Sequence, residues 1–150
     1  MVKTEPSLKA RAMRLLARRE HSRSELARKL AAHAAESDDV AALLDELATK
    51  GWLSDVRFAE QSIRAKSRRF GPRKLAYDLR AKGVDEESIA AGLRAAGIDG
   101  VSRIEDIWRS RFHAPPANDR EKARQVRFLV GRGFGTEEVF RFLGCLKEVA

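Results

Sequence analysis

The arginines of this chain are the residues whose number and spacing could do chemistry. Arg57, Arg64 and Arg68 follow one another at steps of seven and four, the spacing of a single helix face. Arg69, Arg73, Lys74, Arg80 and Lys82 carry the basic surface across the Gly71-Pro72 joint. Further on, Arg120, Arg124 and Arg127 form a comparable stripe, with Arg132 just beyond it. A guanidinium stays charged and presents planar paired donors that match a phosphate or a carboxylate. For any one arginine a solvated helix face is an adequate reading. Recurrence at equivalent places points instead to a continuous basic ridge that faces a polyanion or an acidic protein surface. The residues alone do not separate those two partners.

Other chemistry finds little support. His21, His33 and His113 are far apart and lack zinc-ligand spacing, so each reads as a surface or capping histidine. Cys145 is alone, which excludes an internal disulfide and suits a reducing, cytoplasmic setting; in its apolar segment it reads as buried filler. The acidic pairs Glu86-Glu87 and Glu137-Glu138 sit in first turns of helices, where the helix dipole accounts for them. The glycines from Gly131 to Gly135 lack the strand and lysine of a phosphate cradle. No catalytic residue, metal site or cofactor is expected, and an enzyme acting on nucleic acid is the weakest reading. Among the aromatics, Trp52, Phe58 and Phe128 read as core. Phe70 and Tyr77, beside the densest basic cluster, stay open as base-stacking platforms.

The elements that must position these side chains read as helices throughout. Hydrophobic residues make up 43% of the chain, with helix formers in excess and no apolar run long enough to cross a membrane. Residues 8–20 carry Leu8, Ala12, Leu15, Leu16 and Arg19 at helical spacing. Ser22 with Glu25 is a capping box for a second helix bearing Leu26 and Leu30. Ser37 or Asp38 opens a third, with Val40, Leu43, Leu44 and Leu47, which Gly51 stops. Ser54 caps the next, expected to run to about Phe70. Pro72 opens a helix ending at Gly83, and Asp85 caps one ending at Gly97. A helix is then expected over 102–112, a rigid loop at 113–117, one capped by Asn118 with Glu121, and a last one capped by Thr136.

These segments repeat. Leu30, Leu79 and Leu129 match at steps of 49 and 50 residues, and Val40, Ile89 and Val139 and then Leu44, Leu93 and Leu143 hold the same register. Gln125 is a flaw in it, standing where Leu26 and Leu75 do earlier. The formal net charge of +8 is also distributed periodically, with +6 over residues 54–83 and +5 over 108–132 separated by acidic stretches. We read an all-α chain of three tandem three-helix repeats, at 1–53, 54–98 and 99–150, stacked into an elongated, curved array. Gly51, Trp52, Leu53, Ser54 and Phe58 form the seam between the first two repeats, with Trp52 and Leu53 expected to be buried and to set the angle there.

Four stretches in this order resemble the bacterial RecX regulatory proteins: Arg19 to Leu26 with Leu30; Gly51 to Ala59; Gly71 to Leu75 with Arg80 to Val84; and Arg127 to Phe134. The resemblance spans nearly the whole chain. It implies a negative modulator that lodges in the groove of the RecA recombinase filament on single-stranded DNA and suppresses ATPase, strand exchange and filament growth, within DNA repair and the SOS response. The partners implied are that filament and single-stranded DNA, with double-stranded DNA as a further candidate; no membrane is involved and a monomer is expected. The basic residues named above would face the filament. The competing reading is a stand-alone basic helical module that binds DNA without a recombinase.

Overall fold

The structure is a computed structural model that describes residues 5–100 and 103–149, and among them every regular element is a helix. In order these are α1 (Leu8–Arg18), α2 (Arg23–Ala31), α3 (Val40–Thr49), α4 (Asp55–Lys66), α5 (Pro72–Ala81), α6 (Glu86–Gly100), α7 (Ile104–Arg109), α8 (Asp119–Gly131) and α9 (Thr136–Val149). The expected helix start at Ser102 and the first four residues lie outside the described residues. No described helix is long and apolar enough to cross a membrane. The chain divides into two units, one of Met1–Gln61 with Leu79–Gly92 and one of Ser62–Asp78 with Leu93–Ala150.

Local chemistry explains where most helices begin. The Ser22 hydroxyl accepts from the Glu25 N–H at 3.1 Å, Ser54 from Arg57 at 3.2 Å, and Asp85 from Ser88 at 2.7 Å. Asn118 accepts from Glu121 at 2.9 Å, while the Glu121 carboxylate reaches back to the Ala117 N–H. Each bond satisfies a donor that the first helical turn leaves without an intrahelical partner. Two starts differ from expectation. Asp39 caps α3, because Asp38 is occupied with the Ala35 N–H at 2.8 Å in the preceding turn. Thr136 is already the first residue of α9, whose backbone bonding begins with the Gly135 carbonyl.

Helix ends share one device. At Gly51, Gly83 and Gly133 φ is positive. In each turn the glycine N–H and the N–H after it return to carbonyls of the last helical turn, as in Val84 to Leu79 at 3.0 Å and Phe134 to Leu129 at 3.2 Å. Only a residue without Cβ takes this conformation cheaply.

In the first unit Ala12, Leu26, Leu30, Leu44, Leu47 and Leu53 form a core from α1, α2, α3 and the joint after α3. Burying each leucine contributes roughly 2–3 kcal/mol. Leu53 is in that core, but Trp52 is not: it is 42% exposed, with the Lys50 ammonium 5.3 Å from its ring. The turn that sends Leu53 inward leaves its predecessor facing out. Phe58 is buried as expected. His21 corrects the surface reading: it is buried, with Nδ1 3.1 Å from the Arg19 carbonyl and Nε2 3.1 Å from the Lys29 ammonium.

In the second unit Ile107, Trp108, Leu129, Phe134, Val139 and Leu143 form the core, with Phe112, Phe128 and Phe142 packed against it. Gln125 is no flaw. It is buried, accepts from the Trp108 indole N–H at 2.8 Å and donates to the Ala114 carbonyl at 3.2 Å, so both polar groups are satisfied where a leucine would satisfy neither. Cys145 is exposed rather than buried, because it stands two positions past Leu143, on the far side of α9.

Candidate functional site

Arg68, Arg69, Arg73, Lys74 and Arg132 are positioned by two joints of the second unit, one after α4 and one after α8. α4 ends at Lys66, so Arg68 and Arg69 lie in the following turn and not on a helix face shared with Arg57 and Arg64. Gly71 precedes α5, whose first residue is Pro72, a position that needs no N–H. α8 is followed by its cap residue Arg132 and the left-handed Gly133. The joints then meet. The Gly71 N–H donates to the Arg132 carbonyl at 2.6 Å, and the Arg73 N–H donates to the Gly133 carbonyl at 2.9 Å. Donors at the start of α5 thus satisfy carbonyls at the end of α8, with the helix dipoles favourably opposed. The fit leaves no room for side chains: a Cβ on Gly71 would lie 2.8 Å from the Gly133 oxygen, and one on Gly133 would lie 2.6 Å from the Lys74 nitrogen and collide with its Cβ.

This contact gathers the cations. Arg132 donates through Nη1 to the Arg69 carbonyl at 3.1 Å, and its guanidinium lies 5.7 Å from the Phe70 ring and 5.1 Å from the Phe128 ring. Arg69 covers Phe70 as well, at 5.6 Å. The Arg73 guanidinium runs close along Gly135, leaving a side chain there about 3.1 Å of space. Lys74 pairs with Asp78 at 3.1 Å and sits 5.5 Å from the Tyr77 ring, which is 64% exposed. Arg132 is therefore held by a carbonyl and two aromatic rings and Arg69 by one ring, contacts that orient a guanidinium without neutralising it. Their remaining donors suit a phosphate or carboxylate.

The other candidates fall into three situations. Arg68, Arg120 and Arg127 are exposed, and among the described residues no ion pair engages them. Arg124 lies over Phe112 at 5.8 Å, and Arg64 donates to the Ala95 carbonyl at 3.0 Å, two residues before Gly97, where φ of 62° kinks α6 but does not end it as expected. The three candidates in the first unit are engaged: Arg57 by Glu20 at 2.8 Å and the Gly51 carbonyl at 2.6 Å, Arg80 by Glu86, and Lys82 over Phe58 at 5.7 Å. The Arg80 hydrogen bond holds the Glu86 carboxyl below its usual range. The expected ridge is thus divided between two units, with Arg57, Arg80 and Lys82 in one and the remainder in the other.

Among the described residues no group of three or more acidic, histidine or cysteine side chains could hold a metal ion. The meeting of Gly71 with Gly133 escaped sequence reasoning, because no periodic signal links positions so far apart.

Comparison with known proteins bears on all three repeats. Family models for the first, second and third three-helix domains of RecX match residues 9–47, 54–93 and 99–143. A regulatory protein RecX from Chromobacterium violaceum is 46% identical over 137 residues, 91% of this chain and 89% of that protein. One from Leptothrix cholodnii is 42% identical over 137 residues, covering 91% and 87%. The crystal structure of RecX from Lactobacillus salivarius superposes with a TM-score of 0.72 at 16% identity, covering 92% of this chain and 95% of that one, a likeness of fold.

Proposed function

The chain belongs to the RecX family of regulatory proteins, and from that premise we propose that it is a negative modulator of the RecA recombinase. It binds the groove of the RecA filament on single-stranded DNA and inhibits ATPase, strand exchange and filament growth. The observation that carries this reading is the double joint of the second unit, where Arg69 and Arg132 are oriented over Phe70 with no carboxylate partner among the described residues and Arg73 and Lys74 stand beside them. A groove lined by acidic side chains and phosphates offers the complementary charge. We assign Arg64, Arg68, Arg120, Arg124 and Arg127 to the same filament-facing surface. Arg57, Arg80 and Lys82 contribute to shape more than to contact, since internal partners already hold them. We also propose that the repeats divide after residues 53 and 98.

One observation favours the second reading, binding of DNA without a recombinase: Tyr77 is exposed beneath the Lys74 ammonium, an arrangement on which a base could stack. RecA ATPase on single-stranded DNA, measured with and without the protein, separates the two. Inhibition supports the filament reading. Binding of bare DNA with a steep salt dependence and no effect on ATPase supports the other.

A further inference from the structure

The first unit carries a second cationic surface, built from residues that the filament reading does not use. Between α1 and α2 lies a groove of about 460 Å³. Arg11, Arg14 and Arg18 line one wall, and their spacing of three and four places them along a single face of α1. Lys29 and His33 line the opposite wall from α2 and the turn after it. The half-buried Leu15 forms the floor, backed by the fully buried Leu30.

The charge in this groove is only partly balanced among the described residues. Among the described residues no ion pair or hydrogen bond engages the side chains of Arg11, Arg14 or Arg18. Lys29 is the exception, pairing with Glu25 at 3.4 Å and contacting His21. Elsewhere in the same unit exposed cations do find carboxylates: Lys9 meets Glu46 at 2.7 Å and Arg23 meets Asp45 at 2.8 Å. Three uncompensated guanidinium groups over an aliphatic floor define a receptor for a chain that is acidic and also carries an apolar side chain.

We propose that this groove docks an acidic peptide segment of a partner protein, with carboxylates on Arg11, Arg14 and Arg18 and an aliphatic anchor on Leu15. From Arg11 to Arg18 the wall extends about 10 Å, which two turns of helix or three to four extended residues span. A peptide suits it better than a nucleic acid strand. The one aromatic ring among the lining residues is the His33 imidazole on the wall; the floor, where a stacking platform would have to lie, is the aliphatic Leu15. Charge-assisted bonds to the guanidinium groups supply orientation, and the anchor excludes water from the centre of the contact.

The test is fluorescence anisotropy of the full chain in physiological salt. The probe is a fluorescein-labelled twelve-residue peptide of alternating Glu-Asp-Leu triplets. Arg14→Glu/Arg18→Glu should weaken binding at least about tenfold, the loss of two charge-assisted contacts. Arg120→Glu/Arg127→Glu, the same charge change on α8, should leave it within about twofold, since those side chains do not line the groove. Arg14→Gln/Arg18→Gln gives a milder variant of the same groove, and circular dichroism verifies helicity in all three. Replacing the peptide leucines by serine should also weaken binding. Equal losses in the α1 and α8 reversals would mean attraction to net charge alone and would overturn the proposal. It would also be overturned by a labelled oligothymidylate that lost affinity in the α1 variant while the peptide did not. The readout contains no recombinase, so it succeeds or fails independently of the filament reading.

Discussion

Two joints of this molecule end in the same glycine turn and use it differently. After α3, Gly51 takes φ 80°, and a Cβ placed on it would meet nothing within 4 Å. After α8, Gly133 takes φ 105° and packs directly on the start of α5. The first glycine is required only by its own backbone, and the second also by its neighbour. Their arginines differ in parallel. Arg57 is paired with Glu20 and the Gly51 carbonyl, whereas Arg132 is held by the Arg69 carbonyl and two phenyl rings. An arginine whose charge is spent on an internal carboxylate has little to offer a partner, while one oriented by neutral groups keeps its charge for an incoming anion. The first joint sets structure. The second keeps its charge available, as the proposed filament contact requires.

Substitution of the two glycines is the strongest way to break that comparison. Gly133→Ala combines an unfavourable φ with collision against the Lys74 backbone and should cost about 3–4 kcal/mol in urea unfolding. Gly51→Ala meets only the conformational penalty, about 1 kcal/mol. Equal costs would show that the packing at Gly133 is not as tight as described. Within the first joint, Leu53→Ala should cost about 2–3 kcal/mol by leaving a cavity, and Trp52→Ala less than about 1 kcal/mol. The reverse ranking would return Trp52 to the buried seam that its size suggested. In the second unit, Gln125→Leu restores the repeat's apolar register yet strands the Trp108 indole N–H, so denaturation should show a loss of about 1–3 kcal/mol.

The smallest expected effect is pH dependence in the first unit. Burial lowers the pKa of His21 below its ordinary 6.5; the hydrogen bond with the Arg19 carbonyl and the Glu25 carboxylate oppose this, and the Arg19 and Lys29 cations reinforce it. Below pH 6.5 the unfolded chain therefore binds more protons than the folded one, and stability falls as pH drops. Arg19 holds Glu25 at about 2 against an ordinary 4.5, so its contribution is intact above 4.5 and is lost as pH falls toward 2. The thermal midpoint should decline modestly from pH 7 to pH 5, and His21→Gln should flatten that segment but not the fall below pH 4.5.

Much of the fold was legible because helix ends are written in local chemistry. Ser22, Ser54, Asp85 and Asn118 cap the helices that their spacing assigns to them, and Gly51, Gly83 and Gly133 stop helices. Asp39 was missed because Ser37, Asp38 and Asp39 are all competent caps, and only the turn around Ala35 decides among them. Burial was less legible. Helical spacing cannot tell that Trp52 and Cys145 face out, that His21 is enclosed, or that Gln125 has an indole waiting for it. The basic residues could be named from sequence, but not sorted into those with carboxylate partners and those without, because that depends on contacts such as Arg57 with Glu20, 37 positions apart.

Most direct for the central claim is the single-stranded-DNA-dependent ATPase of RecA, titrated with the wild-type chain and with two folded variants. The wild type should suppress it, Arg57→Glu should retain most of that suppression, and Arg68→Glu/Arg73→Glu/Arg127→Glu should abolish it. Full inhibition by the triple variant, or none by the wild type at several-fold excess over RecA, would contradict the account.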